Sequence, residues 1–381
     1  MTAFFRRPSL TRMAATSGLL LALLDLCPAT AWALHMPKQP ELGPQALAPV
    51  MTSDTQRWDA VLPLPDGRML LETPRWLGNT GPQLVARAED GRQSPWPDEP
   101  WNAPEGAAAT RLINVAGLIR AANGMIWVLD NGVPKRDAAP QAAPKLLEID
   151  PTTNTVRRTV AIDATALKPG SVLSGVAVHD NTAYVADSGV GAILVIDLPS
   201  GTSRRFLDHH PALVATRQIE TPAGILRDAA GHPVAMDASM IAVSPDGTWI
   251  VVQPPSGYLS RIATAIFFDP DVTPAAFEES VTQWFKTPTL GGMTIDNDGT
   301  LYWADVTTGS ILSYTTGRIP RRLITDPRLK WPTTPGLDGH GHLYVAASEL
   351  DHSPAFAPPG TPPAWPVTLY RLTLPTTPPP R

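Results

Sequence analysis

Apolar and polar positions alternate in short runs over most of the chain after residue 55, and the runs recur as one strand-turn-strand pattern. The second run of each unit reads MLLETPRW (69–76), MIWVLDNG (125–132), AYVADSG (183–189), WIVVQPPSG (249–257), LYWADVTTG (301–309) and LYVAASEL (343–350). A tight-turn signal stands before each: Asp66-Gly67, Asn123-Gly124, Asp180-Asn181, Asp246-Gly247, Asp298-Gly299 and Gly339-His340-Gly341. Such pairs tolerate the positive φ of hairpin turns, so each predicts a hairpin. Third runs follow at 145–150, 192–197, 264–269, 310–315 and 368–374, and fourth runs at 203–208, 282–287 and 320–325. Helical periodicity is confined to short stretches near Ala275–Val281 and Pro211–Ala215.

Units of roughly 40–60 residues with up to four short strands match propeller blades. Because a blade cannot bury both faces alone, it stacks on its neighbours around a central channel. The pattern therefore predicts an all-β fold, a six-bladed β-propeller with four-stranded blades, spanning residues 56–374 as one domain. Ala116–Ile119, Val176–Val178, Ile241–Val243 and Met293–Ile295 are expected on innermost strands. Residues 34–55 are expected to run along the outside, and the segment near Trp58–Leu62 to join the last blade and close the ring. Residues 375–381, rich in proline, read as a tail.

Charge and composition narrow the function. Formal net charge is −5 with no basic run, which disfavours nucleic acid and anionic membrane as partners. Arg6, Arg7 and Arg12 precede the apolar Met13–Leu26 segment, and Ala31-Trp32-Ala33 follows, the order of a secretory signal peptide over residues 1–33. A secreted or periplasmic protein, cut near Ala33, is the expectation. Its loss would take away Cys27, the one cysteine, leaving no disulfide, thiol nucleophile or thiolate metal site. Nucleotide-binding loops and a Gly-x-Ser-x-Gly elbow are missing, and the histidines lack zinc-site spacing.

The stretch GRMLLETPRW, with its later Pro-Trp-Pro and Trp-Asn (67–102), resembles the first blade of the major royal jelly protein/Yellow family. The resemblance continues through MIWVLDNG, PKLLEID, AYVADS, LVIDLPSGTSRR, IAVSPDG and LKWPTTPGLDGHGHLYVAAS. It implies a secreted six-bladed propeller akin to bacterial, L-dopachrome tautomerase-related members, and no single activity. Members include pigment-pathway proteins linked to dopachrome conversion, nutritive proteins and salivary binders of small aromatic amines. The chain departs from insect members in its cysteine content and in Glu72, where they carry an uncharged residue.

More distantly, Glu-Thr-Pro-Arg-Trp echoes the first metal carboxylate of the gluconolactonase/senescence-marker-protein propellers, which implies a metal-dependent lactone hydrolase as the alternative. Gly291-Gly292 and Asp237-Ala238-Ser239 stand where that group would supply further ligands. No cofactor is expected; a divalent metal such as calcium would fall to Glu72 and Asp237.

Blade symmetry brings second-strand ends and the lead-ins to innermost strands to one face. The candidate ligand-binding residues at that channel mouth are Glu72, Asn114, Asp130, Asp187, Asp237 and Asp305. Carboxylates gathered there would favour a cationic small-molecule ligand, an amine or a catechol-like compound. The competing role for Asp130, Asp187 and Asp305 is turn formation, their carboxylates capping nearby backbone amides. Arg75 is expected to pair with one of these carboxylates and Trp76 to wedge between blades. A dopachrome-type isomerase needs only a base and a proton donor. A binding protein without catalysis needs neither.

Overall fold

The computed structural model describes residues 40–134, 138–228, 230–357 and 360–375. The expected signal segment 1–33, the rest of the chain to Gln39 and residues 376–381 of the expected tail lie outside the described residues. Six four-stranded antiparallel sheets follow one another in sequence order, apart from one exchange at ring closure. Blade one comprises Ala60–Pro63, Met69–Glu72, Leu84–Arg87 and Gln93–Pro95. Blade two comprises Val115–Arg120, Ile126–Asp130, Lys145–Asp150 and Thr155–Ala161, and blade three Leu173–His179, Thr182–Asp187, Ala192–Asp197 and Ser203–Phe206. Blade four comprises Met240–Val243, Trp249–Gln253, Leu259–Ala263 and Thr282–Phe285, and blade five Leu290–Ile295, Leu301–Asp305, Ser310–Tyr314 and Pro320–Thr325.

Blade six takes Gly336–Leu337, His342–Ala347 and Val367–Thr373 from the C-terminal part, and Leu47–Ser53 as its outer strand. Part of the segment expected to run along the outside therefore closes the ring. The stretch near Trp58 adds a second tie: Thr333 Oγ1 and Ser348 Oγ donate to the Trp58 carbonyl at 3.0 and 2.6 Å. A single parallel bridge joins Ala60 to Thr334.

The four segments expected innermost do begin their blades, and hydrophobic cores fill the spaces between neighbouring sheets. Ala177, Tyr184 and Ile193 of blade three pack with Ile241, Ile250 and Ile262 of blade four, for example. At the inner ends, backbones meet so closely that side chains are excluded. A Cβ on Gly292 would sit 2.3 Å from Thr334 Cα, and one on Gly336 2.1 Å from the Val61 carbonyl oxygen. Among the described residues no helix is long and apolar enough to cross a membrane.

One strand differs from its prediction. The third strand of blade four is Leu259–Ala263, and Thr264–Phe267 is a 3-10 turn. Thr264 Oγ1 donates to the Gly247 carbonyl at 2.5 Å as the strand ends. The turn drops Phe267 into the core against Tyr184, Phe206 and Phe277. Aromatic burial thus overrides the β propensity of the segment. The stretch at Pro211–Ala215 forms turns in place of a helix.

Candidate functional site at the channel mouth

In each of blades one to five the second strand ends on a polar residue: Glu72, Asp130, Asp187, Gln253 and Asp305. Each pairs in register with the first residue of its innermost strand, so the five stand at equivalent places. Equivalent position does not give equivalent chemistry.

Asp130 is fully buried, and its carboxylate accepts from the amides of Ile113, Asn114 and Gly132 at 2.9, 2.9 and 3.1 Å. Lys145, its cross-strand neighbour, closes the set with Nζ at 2.6 Å. Asp187 repeats the design with Val172 and Gly189 amides, the Ser171 hydroxyl, and Arg205 at 2.8 Å. Asp305 accepts from the amide of Thr307 at 2.8 Å and the Thr308 hydroxyl at 2.5 Å. These three aspartates act as pins that hold a strand end to its neighbouring loop, and two of them are neutralised by buried cations. Of the four carboxylates expected to face the mouth, Asp130 and Asp187 thus carry a cationic partner. Gln253 accepts from Thr287 Oγ1 at 3.2 Å.

Asn114 belongs to the Asp130 network: its amide nitrogen donates to Asn131 Oδ1 at 3.3 Å, while its Oδ1 is buried without a hydrogen-bond partner among the described residues. Asp237 lies on the lead-in to blade four, half-buried, and accepts from the Ala215 amide at 2.8 Å. Among the described residues no group of three His, Cys, Asp or Glu side chains is arranged to hold a metal.

Glu72 is the exception. It is 2 % exposed, yet no hydrogen bond reaches its carboxyl group among the described residues. The neighbour that sequence reasoning missed is Asp59, whose backbone amide donates to the Glu72 carbonyl at 2.9 Å. Burial pushes the Asp59 carboxyl up to about 7. Burial, and then the Asp59 charge, hold Glu72 well above the usual carboxylate range. The two titrate as one pair, with a proton retained near neutrality. Asp59 stands at the lead-in to an innermost strand and keeps some accessible surface. A signal for it existed: counting back from the Asp66-Gly67 turn sets Ala60 opposite Glu72 and Asp59 beside it.

The Pro-Arg-Trp corner that follows is a 3-10 turn over Arg75–Leu77. It carries Trp76 edge-on to Phe356, with ring centroids 6.1 Å apart, and Leu77 into an apolar cluster with Ile219, Leu226, Val306 and Trp331. Trp76 thus packs under a roof of loops and not between blades. Arg75 makes no ion pair with a carboxylate among the described residues; it reaches the Asn102 carbonyl at 3.5 Å.

No curated protein sequence matches the chain significantly. Among solved structures, a streptogramin B lyase aligns with TM-score 0.50 at 10 % identity, covering 85 % of this chain and 95 % of the lyase. A catalytically inactive virginiamycin B lyase from Staphylococcus aureus with quinupristin aligns at 0.49 and 13 % identity, covering 86 % and 99 %. At such identities the first likeness speaks for the propeller fold alone, and the second carries no argument. The sequence itself is more specific: residues 119–238, from the second blade to the lead-in of the fourth, match the family model of the major royal jelly proteins, within a six-bladed propeller.

Proposed function

We propose that the mouth of the central channel binds a small protonatable molecule, an amine or catechol-like compound, at the Asp59–Glu72 pair. The observation that carries this reading is the contrast within the ring. Asp130, Asp187 and Asp305 are occupied by backbone amides, hydroxyls and cations, whereas Glu72 is buried with none. A buried carboxyl left unpaired costs stability, and such groups are retained where a ligand or a proton transfer uses them. A cation placed against the pair would draw off the retained proton and pair with the resulting carboxylate. In a dopachrome-type tautomerisation, the carboxylate of the pair takes the proton leaving carbon. The protonated carboxyl delivers one to the oxygen, so no electron is gained or lost overall and no cofactor is needed. The lactone-hydrolase alternative draws no support from the donor set, which offers two neighbouring carboxyls where a hard metal takes several oxygens.

Calorimetric titration with tyramine near neutral pH tests the reading. Glu72→Gln and Asp59→Asn should each weaken binding roughly tenfold or more, the worth of one charge-assisted hydrogen bond. Stability should move the other way. Folded-state values raised above the unfolded ones mean that stability is full below the ordinary carboxylate range and falls as pH rises towards about 7. Either variant should flatten that fall and be more stable than the parent protein above neutrality. Tyramine binding unchanged in both variants would remove the pair from the site.

A further inference from the structure

Three cationic side chains converge on the loop that leads from blade one into blade two. Arg75 reaches the Asn102 carbonyl at 3.5 Å, Arg111 Nε the Gly106 carbonyl at 3.1 Å, and Lys145 Nζ the Ala108 carbonyl at 3.0 Å. The carboxylate within this group is Asp130, which Lys145 and three backbone amides already occupy. Arg75 and Arg111 are therefore left without a counter-charge among the described residues. Arg111 Nη1 is, moreover, buried with no hydrogen-bond partner there. A guanidinium donor shut away from water without an acceptor is costly, and two like charges side by side add to the cost. The Arg111 charge and burial together lower Arg75 from the ordinary arginine value, burial being the larger cause, against the pull of Asp130.

Taken whole, both arginines are only half-buried, although Arg111 Nη1 itself is covered. We propose that Arg75 and Arg111 form a binding site for a small anionic group, a carboxylate or a phosphate, on the rim between blades one and two. Planar guanidinium forks suit either group, since each donates two parallel hydrogen bonds to a pair of oxygens. The site lies on the same face as the Asp59–Glu72 pair but shares no residue with it, and it stands without the reading given to that pair. It also supplies a role for the arginine of the Pro-Arg-Trp corner, which makes no ion pair with a carboxylate among the described residues.

The experiment is calorimetric and thermal-shift titration with inorganic phosphate and, separately, with acetate, against chloride at matched ionic strength. An anion that binds the native state raises its apparent stability. Phosphate or acetate should raise the melting temperature above the chloride control, and the anion with the larger response identifies the group. Arg75→Gln and Arg111→Gln should each weaken that binding roughly tenfold or more, while Arg75→Lys keeps part of it. Equal responses to all three anions, or an undiminished response in both glutamine variants, would overturn the proposal.

Discussion

Replacing Asp130 by alanine is expected to destabilise the protein by about 3–5 kcal/mol, a large share of the ~5–15 kcal/mol that holds a typical fold. The aspartate is wholly buried, and so nearly is Lys145, whose side chain is 6 % exposed. Removing the carboxylate strands an ammonium in the protein interior and frees the Ile113, Asn114 and Gly132 amides at once. Denaturant unfolding of the variant measures the loss. Lys145→Met in the Asp130→Ala background should recover part of it, because the stranded charge goes. Asp305→Ala offers the comparison. That carboxylate holds amides and a hydroxyl but no cation, so its loss should cost only about 1–3 kcal/mol. Equal costs for Asp130→Ala and Asp305→Ala would mean that the buried cation contributes nothing to the difference.

Gly292→Ala should be nearly as damaging. The added methyl group would lie 2.3 Å from Thr334 Cα and 2.6 Å from Thr334 N, on the innermost path where blades five and six touch. Backbone cannot swing aside as a side chain does, so two blades must separate, at a cost of ~3 kcal/mol or more. Gly117→Ala is milder by the same geometry. There the nearest atom is Val176 Cγ1 at 3.0 Å, and a rotamer change relieves much of the contact. Thermal unfolding of the two variants should rank Gly292→Ala well below Gly117→Ala. A Gly292→Ala protein melting with the wild type would show that the blades are not packed backbone to backbone.

The propeller was legible because each blade repeats the same local instruction. An alternating run, a turn pair such as Asp246-Gly247 and a second alternating run are all short-range features. Ring closure was less so. Leu47–Ser53 carries two exposed and several half-buried positions, and its partner strand Val367–Thr373 lies at the other end of the chain, so no local signal ties them. The strand ends at Glu72, Asp130, Asp187 and Asp305 were also predictable from register. What sequence did not reveal was which of them would be neutralised. Lys145 sits directly opposite Asp130 and could have been counted across the hairpin. Arg205, by contrast, reaches Asp187 from the outer strand, two strands away, and only the packed blade brings them together. Asp59 was legible only by counting back through the first hairpin, because it lies one residue before the first innermost strand, where the alternating pattern has not yet begun.

The measurement that bears most directly on this account is the titration of the Asp59 and Glu72 carboxyl groups by carbon-13 NMR, assigned through Asp59→Asn and Glu72→Gln. Burial and mutual repulsion predict two aspartate and glutamate side-chain signals displaced far from the rest. One should titrate close to 7 and the other should hold its proton well above the ordinary glutamate range. Adding tyramine should pull the titrations to lower pH, since a bound cation favours the charged form. If both groups titrate with the exposed carboxylates and ignore the amine, the pair is solvated and balanced, and the channel mouth holds no acid pair for a ligand to use.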